Sequence, residues 1–282
     1  MLSLLDRIKA ELISYNGKMG IYIDDFKGNK VEINTDEKFE TASTIKTFIL
    51  IDLFHQVHEG TKSLCDKLIY THENKIDGSG VLQSLDFGVE MSVKNVATLM
   101  IIVSDNVATN MIIDYLGLDH INDTIKRYGF SDTELHNKID FEKYDKLGTT
   151  TPHDYGKAFT MLHNRCLISE EASEQMIEIL KMQHYNSMLT RFFPQYYLSG
   201  DDCLASNEES ISVASKSGSM NACRNDGGLV ITPFGEYVIV LFNKDFYDSL
   251  YYADHESTIY GARVSRLVLD QYLALKGSLE KN

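Results

Sequence analysis

From Ile45 to Phe54 the chain reads IKTFILIDLF, and a helix over these residues is apolar nearly all round. Such a helix belongs inside a protein, so other elements must enclose it. A chain of 282 residues has the length for this, as one large domain or two interlocked lobes sharing a real core. At the head of the run stand Ser43 and Lys46. Helical spacing puts positions i and i+3 on one face, roughly 5–6 Å apart at Cβ. A lysine held in apolar surroundings sheds its proton readily, because desolvation disfavours the charged form. A neutral amine beside a serine hydroxyl is a general base beside a nucleophile. The pair alone is also consistent with a serine cap and a solvated lysine. A second such spacing, Ser278 to Lys281, occurs near the end of the chain.

The remaining periodicity supplies the enclosing elements. LSLLDRIKAELISY has helical spacing and ends at Gly17, and GIYIDDF and KVEIN flank Lys27-Gly28-Asn29 as a hairpin. Ser92 caps a helix, VKNVATLMIIV, that breaks at Ser104-Asp105-Asn106 and resumes through VATNMIIDYLG to Gly117. Helices follow at DHINDTIKRYG, at TPHDYGKAFTMLH with Pro152 at an early position, and at SEEASEQMIEILKMQ. The period then changes to the β-rich runs ISVASKSGS, GGLVITP and EYVIVLF, before a last amphipathic helix from about His255 to Leu275. This order predicts an α+β fold: an antiparallel sheet formed by both termini and packed by helices, with an all-helical lobe inserted. The whole chain, 1–282, reads as a single catalytic domain, with a sheet lobe about 1–44 and 201–282 and a helical lobe about 45–200. Sites often lie in the crevice between two such lobes.

Charge and composition narrow the partners. Hydrophobic content of 43% and charged content of 24% are those of a soluble globular protein. A net charge of −14 without any basic stripe argues against nucleic acid or an anionic membrane surface. No stretch approaches the roughly 20 apolar residues of a membrane span. The first apolar run is broken by Asp6, Arg7 and Lys9, unlike a signal peptide. The expectation is a cytoplasmic monomer, or a secreted one if a leader has been removed. The cysteines (Cys65, Cys166, Cys203, Cys223) have scattered spacings that predict reduced thiols. His55 and His58 share a helix face but lack a third ligand, so neither a metal nor another cofactor is expected.

Two further elements carry chemistry. Ser104-Asp105-Asn106 interrupts a helix in apolar surroundings, and Lys216-Ser217-Gly218 follows the strand ISVAS. Taken singly, the first is an ordinary turn and the second an edge strand protected by lysine. Taken with Ser43-Thr44-Ile45-Lys46, in this order and at wide separation, they form the S-x-x-K, S-D-N, K-[ST]-G set. On these motifs the chain resembles the class A β-lactamase-like serine hydrolases over roughly 17–275. GSGVLQ (78–83), LMIIVSDNVATNMIIDYLG (99–117), TTTP (149–152) and RND (224–226) resemble that family too.

The resemblance implies a serine amidohydrolase. It would open a β-lactam or related carboxylate-bearing amide through an acyl-enzyme, with β-lactam catabolism and antibiotic resistance as the setting. Ser43 would be the nucleophile and Lys46 its activator, and the N–H groups of Ser43 and Ser219 would form the oxyanion hole. Ser104 would relay a proton to the leaving nitrogen, polarised by Lys216. Asn106 would bind the substrate's side-chain amide, and Lys216, Ser217 and Arg224 its carboxylate. The family's E-x-x-L-N stretch, whose glutamate positions the deacylating water, is absent from SDTELHNKIDFEKYDKLGTTTP (131–152). Its glutamate would fall near Ile139 in a shortened loop, leaving Asp140 and Glu142 as the nearest carboxylates, with Asp140 the closer in sequence. A D-alanyl peptidase-like enzyme and a sensor domain acylated by β-lactam with slow release remain as alternatives.

Overall fold

A computed structural model describes residues 2–198 and 210–280. Cys203, Lys281 and the expected lobe boundary near residue 200 lie outside the described residues. Helix α1 (Leu4–Glu11) leads into the hairpin β1 (Lys18–Asp24) and β2 (Lys30–Ile33), the short β3 (Phe39–Glu40) and the long α2 (Lys46–His58). The pair β4 (Lys67–Ile69) and β5 (Glu90–Ser92) precedes α3 (Val93–Ile102), α4 (Asn106–Leu116) and α5 (Leu118–Arg127). Then come β6 (Glu134–Leu135), β7 (Gly148–Thr150), α6 (Pro152–His163), α7 (Glu170–Lys181) and the single turn α8 (Gln195–Leu198). The chain finishes with β8 (Ser212–Ser215), β9 (Gly218–Met220), β10 (Cys223–Thr232), β11 (Gly235–Lys244) and α9 (Glu256–Ala274).

Both ends of the chain build one antiparallel sheet in the order β2-β1-β11-β10-β8, with β9 also paired to β10. The strands β10 and β11 are central because their runs are apolar on both faces. Val238, Val240 and Phe242 enter one core, while Tyr237, Ile239 and Leu241 enter the other. Helices α1 and α9 close the second face, and α6 lies across the first on β1, β10 and β11. Burying each such side chain stabilises the fold by about 1.5–3 kcal/mol relative to leaving it in water.

On the α6 side the same core continues into the helices. Every residue of α2 from Lys46 to Gln56 is buried, as its all-round apolar pattern requires, with α3, α4, α5 and α7 packed about it. Asp52, fully enclosed on this helix, accepts hydrogen bonds from Gln56 (2.8 Å) and Thr124 (2.6 Å) and pairs with His120 Nδ1 (2.8 Å). A buried carboxylate survives on those terms.

The first helix is shorter than its periodicity suggests. Leu12 caps α1 and still packs on the core, as does Tyr15, whereas Ile13 is exposed. The serine of S-x-x-K lies in a 3-10 turn, Ala42–Ile45, that precedes α2, not in the α-helix itself.

Candidate active site

The break between α3 and α4 is built by Ser104 and Asp105. Ser104 adopts a left-handed backbone (φ 53°), which ends α3 and turns the chain. Asp105, fully buried, caps α4 by accepting from Ala108 N (2.9 Å). Its other oxygen accepts from Val81 N (2.6 Å) and Leu82 N (2.8 Å), which pins the GSGVLQ segment beside the turn. Ala42, immediately before Ser43, is also left-handed (φ 44°). Each such residue costs about 1–3 kcal/mol of backbone strain, which falls on one motif serine and immediately before the other.

These turns bring the three motifs together around one hydroxyl. Lys46 Nζ donates to Ser104 O (2.7 Å), Ser104 Oγ (3.1 Å) and Asn106 Oδ1 (3.1 Å). From the opposite side Lys216 Nζ donates to Ser104 Oγ (3.1 Å) and to Ser217 O (2.7 Å). Both amines are fully buried, and neither forms an ion pair with a carboxylate among the described residues. Burial therefore holds Lys46 well below the usual lysine range, and the charge of Lys216 pushes it further down. Burial pulls Lys216 to about 7, with Asp226 on β10 opposing the shift. Asp226 is itself pushed up to about 7 by burial, although it accepts from Leu189 N (3.2 Å) and Gly227 N (3.0 Å).

Ser43, half-buried, opens onto two cavities. One, of about 410 Å³, is lined by Ser104, Ser217 and Ser219 together with Tyr185 and Tyr251. The other lies under the loop 136–147 and is lined by Asn106, Ile139, Asp140, Tyr144 and Ser219. Strand β9 runs close against the serine turn. A Cβ on Gly218 would meet Ser43 N at 2.6 Å and Thr44 N at 2.7 Å, so only glycine allows this approach. It sets the main chain of the neighbouring Ser219 beside that of Ser43, the arrangement an oxyanion hole needs. The Ser43 hydroxyl makes no hydrogen bond among the described residues.

Of the residues singled out from the sequence, Ser43, Lys46, Ser104, Asn106, Lys216, Ser217 and Ser219 converge here. Asp140 reaches the second cavity, whereas Glu142 lines only a groove outside it. Asp140 is already engaged. Its oxygens accept from Glu142 N (3.2 Å) and Lys143 N (3.3 Å) and pair with Lys143 Nζ (3.0 Å), and the lysine contact foremost holds it below the usual carboxylate range. Ile139 presents a buried apolar side chain where the resemblance would put glutamate. The structure does not bring Arg224 into either cavity. Its guanidinium is taken up instead by the carbonyls of Met220, Cys223, Ser249 and Leu250.

Sequence reasoning missed several residues of the site. Asn110 clasps the main chain of Ile139, donating to its O and accepting from its N, both at 2.9 Å. The signal was available, because Asn110 lies four residues after Asn106 on one helix face. Gln183 accepts from Ser217 N (2.8 Å) and Ser217 Oγ (3.2 Å) and donates to Ser215 Oγ (2.7 Å), fixing the strand end that carries Lys216. Nothing local marks Gln183, Tyr185 or Tyr251, since each acts across a long sequence separation.

A family profile described as "Beta-lactamase enzyme family" matches residues 3–272. "Beta-lactamase 3" of Bacillus cereus is 24% identical over 269 residues, covering 91% of this chain and 77% of that protein. "Beta-lactamase BRO-1" of Moraxella catarrhalis is 26% identical over 194 residues, covering 66% of this chain and 62% of that protein, less than two thirds of its length. Among solved structures, a beta-lactamase from Sphaerobacter thermophilus superposes with a TM-score of 0.82 at 28% identity, covering 97% of each chain. PBP-A superposes with a TM-score of 0.81 at 27% identity, covering 96% of each chain.

Proposed function

The chain belongs to the beta-lactamase enzyme family, and from that premise we propose that it is a serine amidohydrolase of the class A type, acylated on Ser43 by a β-lactam or a related carboxylate-bearing amide. The observation that carries the reading is the Ser104 hydroxyl held 3.1 Å from both Lys46 Nζ and Lys216 Nζ in a buried site that opens onto Ser43. Neutral Lys46 takes the Ser43 proton as Oγ attacks the carbonyl carbon. That contact forms on substrate binding, as catalytic hydrogen bonds in free enzymes are often loose. The N–H groups of Ser43 and Ser219 receive the developing oxyanion, each worth about 3–4 kcal/mol in such sites. Lys46 returns the proton through Ser104 to the leaving nitrogen, and protonated Lys216 keeps that hydroxyl polarised. Ser217 and Ser219 form the polar end of the 410 Å³ cavity, with Lys216 buried behind Ser217, and the substrate's carboxylate binds there.

A second reading, acylation with slow release, is favoured by the loop. Hydrolysis of the ester needs a base within about 2.6–3.2 Å of the water, directly or through one more water. Ile139 offers none, and the pairing of Asp140 with Lys143 weakens it as a base. A structure of a PBP-A variant that also superposes on this chain, with a TM-score of 0.81, is described as an acyl-enzyme complex with penicillin G, which supports the reading by likeness.

Intact-mass spectrometry after mixing with a penicillin tests both. A one-to-one adduct on Ser43, lost in Ser43→Ala, supports the acyl-enzyme, and its lifetime separates hydrolysis from slow release. An adduct on any other residue, or none with β-lactams, esters and D-alanyl peptides alike, would remove the proposal.

A further inference from the structure

Arg224 leaves β10 with 2% of its surface exposed and holds the segment that follows β11. Its Nη2 donates to Leu250 O (2.9 Å) and Ser249 O (3.4 Å), and its Nη1 donates to Cys223 O (2.8 Å) and to Met220 O. The guanidinium carbon lies 5.4 Å from the Phe246 ring centre and 5.3 Å from that of Tyr251. Five donors in a planar fork suit this task, joining two carbonyls of a loop to two of a hairpin while an aromatic face packs on the plane.

The residue fixed by this clasp belongs to the cleft. Tyr251 is 73% exposed, yet it lines the cavity that contains Ser43, Ser104 and Ser217. Tyr185 lines the same cavity, its hydroxyl donating to Val103 O (3.2 Å), one residue before Ser104. An aromatic ring left so open to water gains little from the fold. Held at a cavity mouth by a buried cation, it offers a bound molecule a flat apolar face.

We propose that Arg224 is a positioning residue that acts through Tyr251, and that Tyr251 and Tyr185 form an aromatic wall selecting substrates with a flat, apolar group on the leaving-nitrogen side of the scissile bond. The side assignment rests on the proposed function. Ser104, the group next to the leaving nitrogen in that reading, lines this cavity and not the one under the 136–147 loop. Substrate selection at this end is thus by ring stacking, with the carboxylate left to Lys216, Ser217 and Ser219.

The test uses two cephalosporins with the same acyl group, one bearing a dinitrostyryl group on the six-membered ring and one a methyl group. The acylation rate constant on Ser43 and the dissociation constant preceding it are read for each. Tyr251→Ala and Arg224→Lys should each weaken binding of the aryl compound roughly 3- to 10-fold, the range of an aromatic contact. Both should leave the methyl compound within twofold and the acylation step itself unchanged. The two changes together should add nothing to either alone, and Tyr251→Phe should behave as wild type. Equal losses on both compounds, or an aryl-to-methyl ratio unchanged in Tyr251→Ala, would overturn the proposal. A wild-type protein that neither compound acylates would count against the proposed function. The clasp is then read alone, because Arg224→Lys should speed hydrogen exchange over 245–252 and Tyr251→Ala should not. Unchanged protection in Arg224→Lys would refute it.

Discussion

Replacing Gly218 by alanine puts one methyl group at the most crowded point of the site. Its Cβ would lie 2.6 Å from Ser43 N, 2.7 Å from Thr44 N and 2.8 Å from Thr41 O, and ordinary contact begins near 3.4 Å. All three atoms are main chain, so no side chain can rotate away. Strand β9 and the serine turn must separate by 3.4 less 2.6, or 0.8 Å. That movement widens the gap between the Ser43 and Ser219 N–H groups, the proposed oxyanion donors. A displacement of about 1 Å costs a reaction roughly 100-fold, and loss of one oxyanion donor roughly 100- to 1,000-fold.

Acylation of Gly218→Ala by a β-lactam, followed by stopped-flow or quenched mass spectrometry, should therefore be about 100- to 1,000-fold slower than wild type. Overpacking should lower stability by about 1–3 kcal/mol, a melting temperature lower by roughly 2–10 °C. Gly261→Ala separates the two effects. Its added carbon also meets a neighbour at 2.6 Å, but that neighbour is the flexible Met188 side chain, in the core on the α9 face of the sheet. It should keep wild-type acylation. A folded Gly218→Ala that acylates within threefold of wild type would show that the strand's approach does not build the oxyanion hole.

Ser43→Ala should form no adduct and Lys46→Ala almost none, as mass spectrometry would reveal; rapid acylation of Lys46→Ala would remove the lysine as base. The pH profile of acylation should be a bell. The rate rises as Lys46 deprotonates through its lowered pKa and falls above about 7 as Lys216 loses the proton that polarises Ser104; a flat profile between pH 5 and 9 would contradict these assignments. Presteady-state turnover should show a burst equal to the enzyme concentration and then a slow phase, slowed further by Asp140→Asn and not by Glu142→Gln; no burst would mean the water is well held. Asn110→Ala should change the slow phase while leaving acylation within a few-fold, because it frees Ile139 from its two 2.9 Å bonds; equal effects on both phases would place Asn110 in general packing instead.

Much of the fold was legible because burial leaves a period in the sequence. The all-round apolar run of α2 and the two-faced strands β10 and β11 can only be interior, and the antiparallel sheet of both termini follows from where those runs fall. Where burial is partial the reading weakened. The helical spacing of Leu2 to Tyr15 continues past Glu11, but Ile13 stays exposed. The motif serine sits in a 3-10 turn packed so closely on Gly218 that a Cβ there would lie 2.6 Å from Ser43 N, a tertiary demand that no local propensity records.

The site divides along the same line. Lys46, Ser104 and Lys216 are recognisable because a buried amine must be held by acceptors, and the S-D-N motif supplies them to both lysines. Arg224 shows the limit. In a list of residue types, arginine beside K-S-G suits a carboxylate, since its fork can grip one through two bonds. The same fork grips two backbone carbonyls equally well, and the segment after β11 supplies them. Ser219 pairs directly with Arg224 across the β9–β10 ladder, so the two side chains share one face of the pair, and the segment after β11 covers Arg224 on that face. Sequence motifs therefore name the groups that make and break bonds here, whereas the groups that choose the substrate are set by a loop that Arg224 holds from behind.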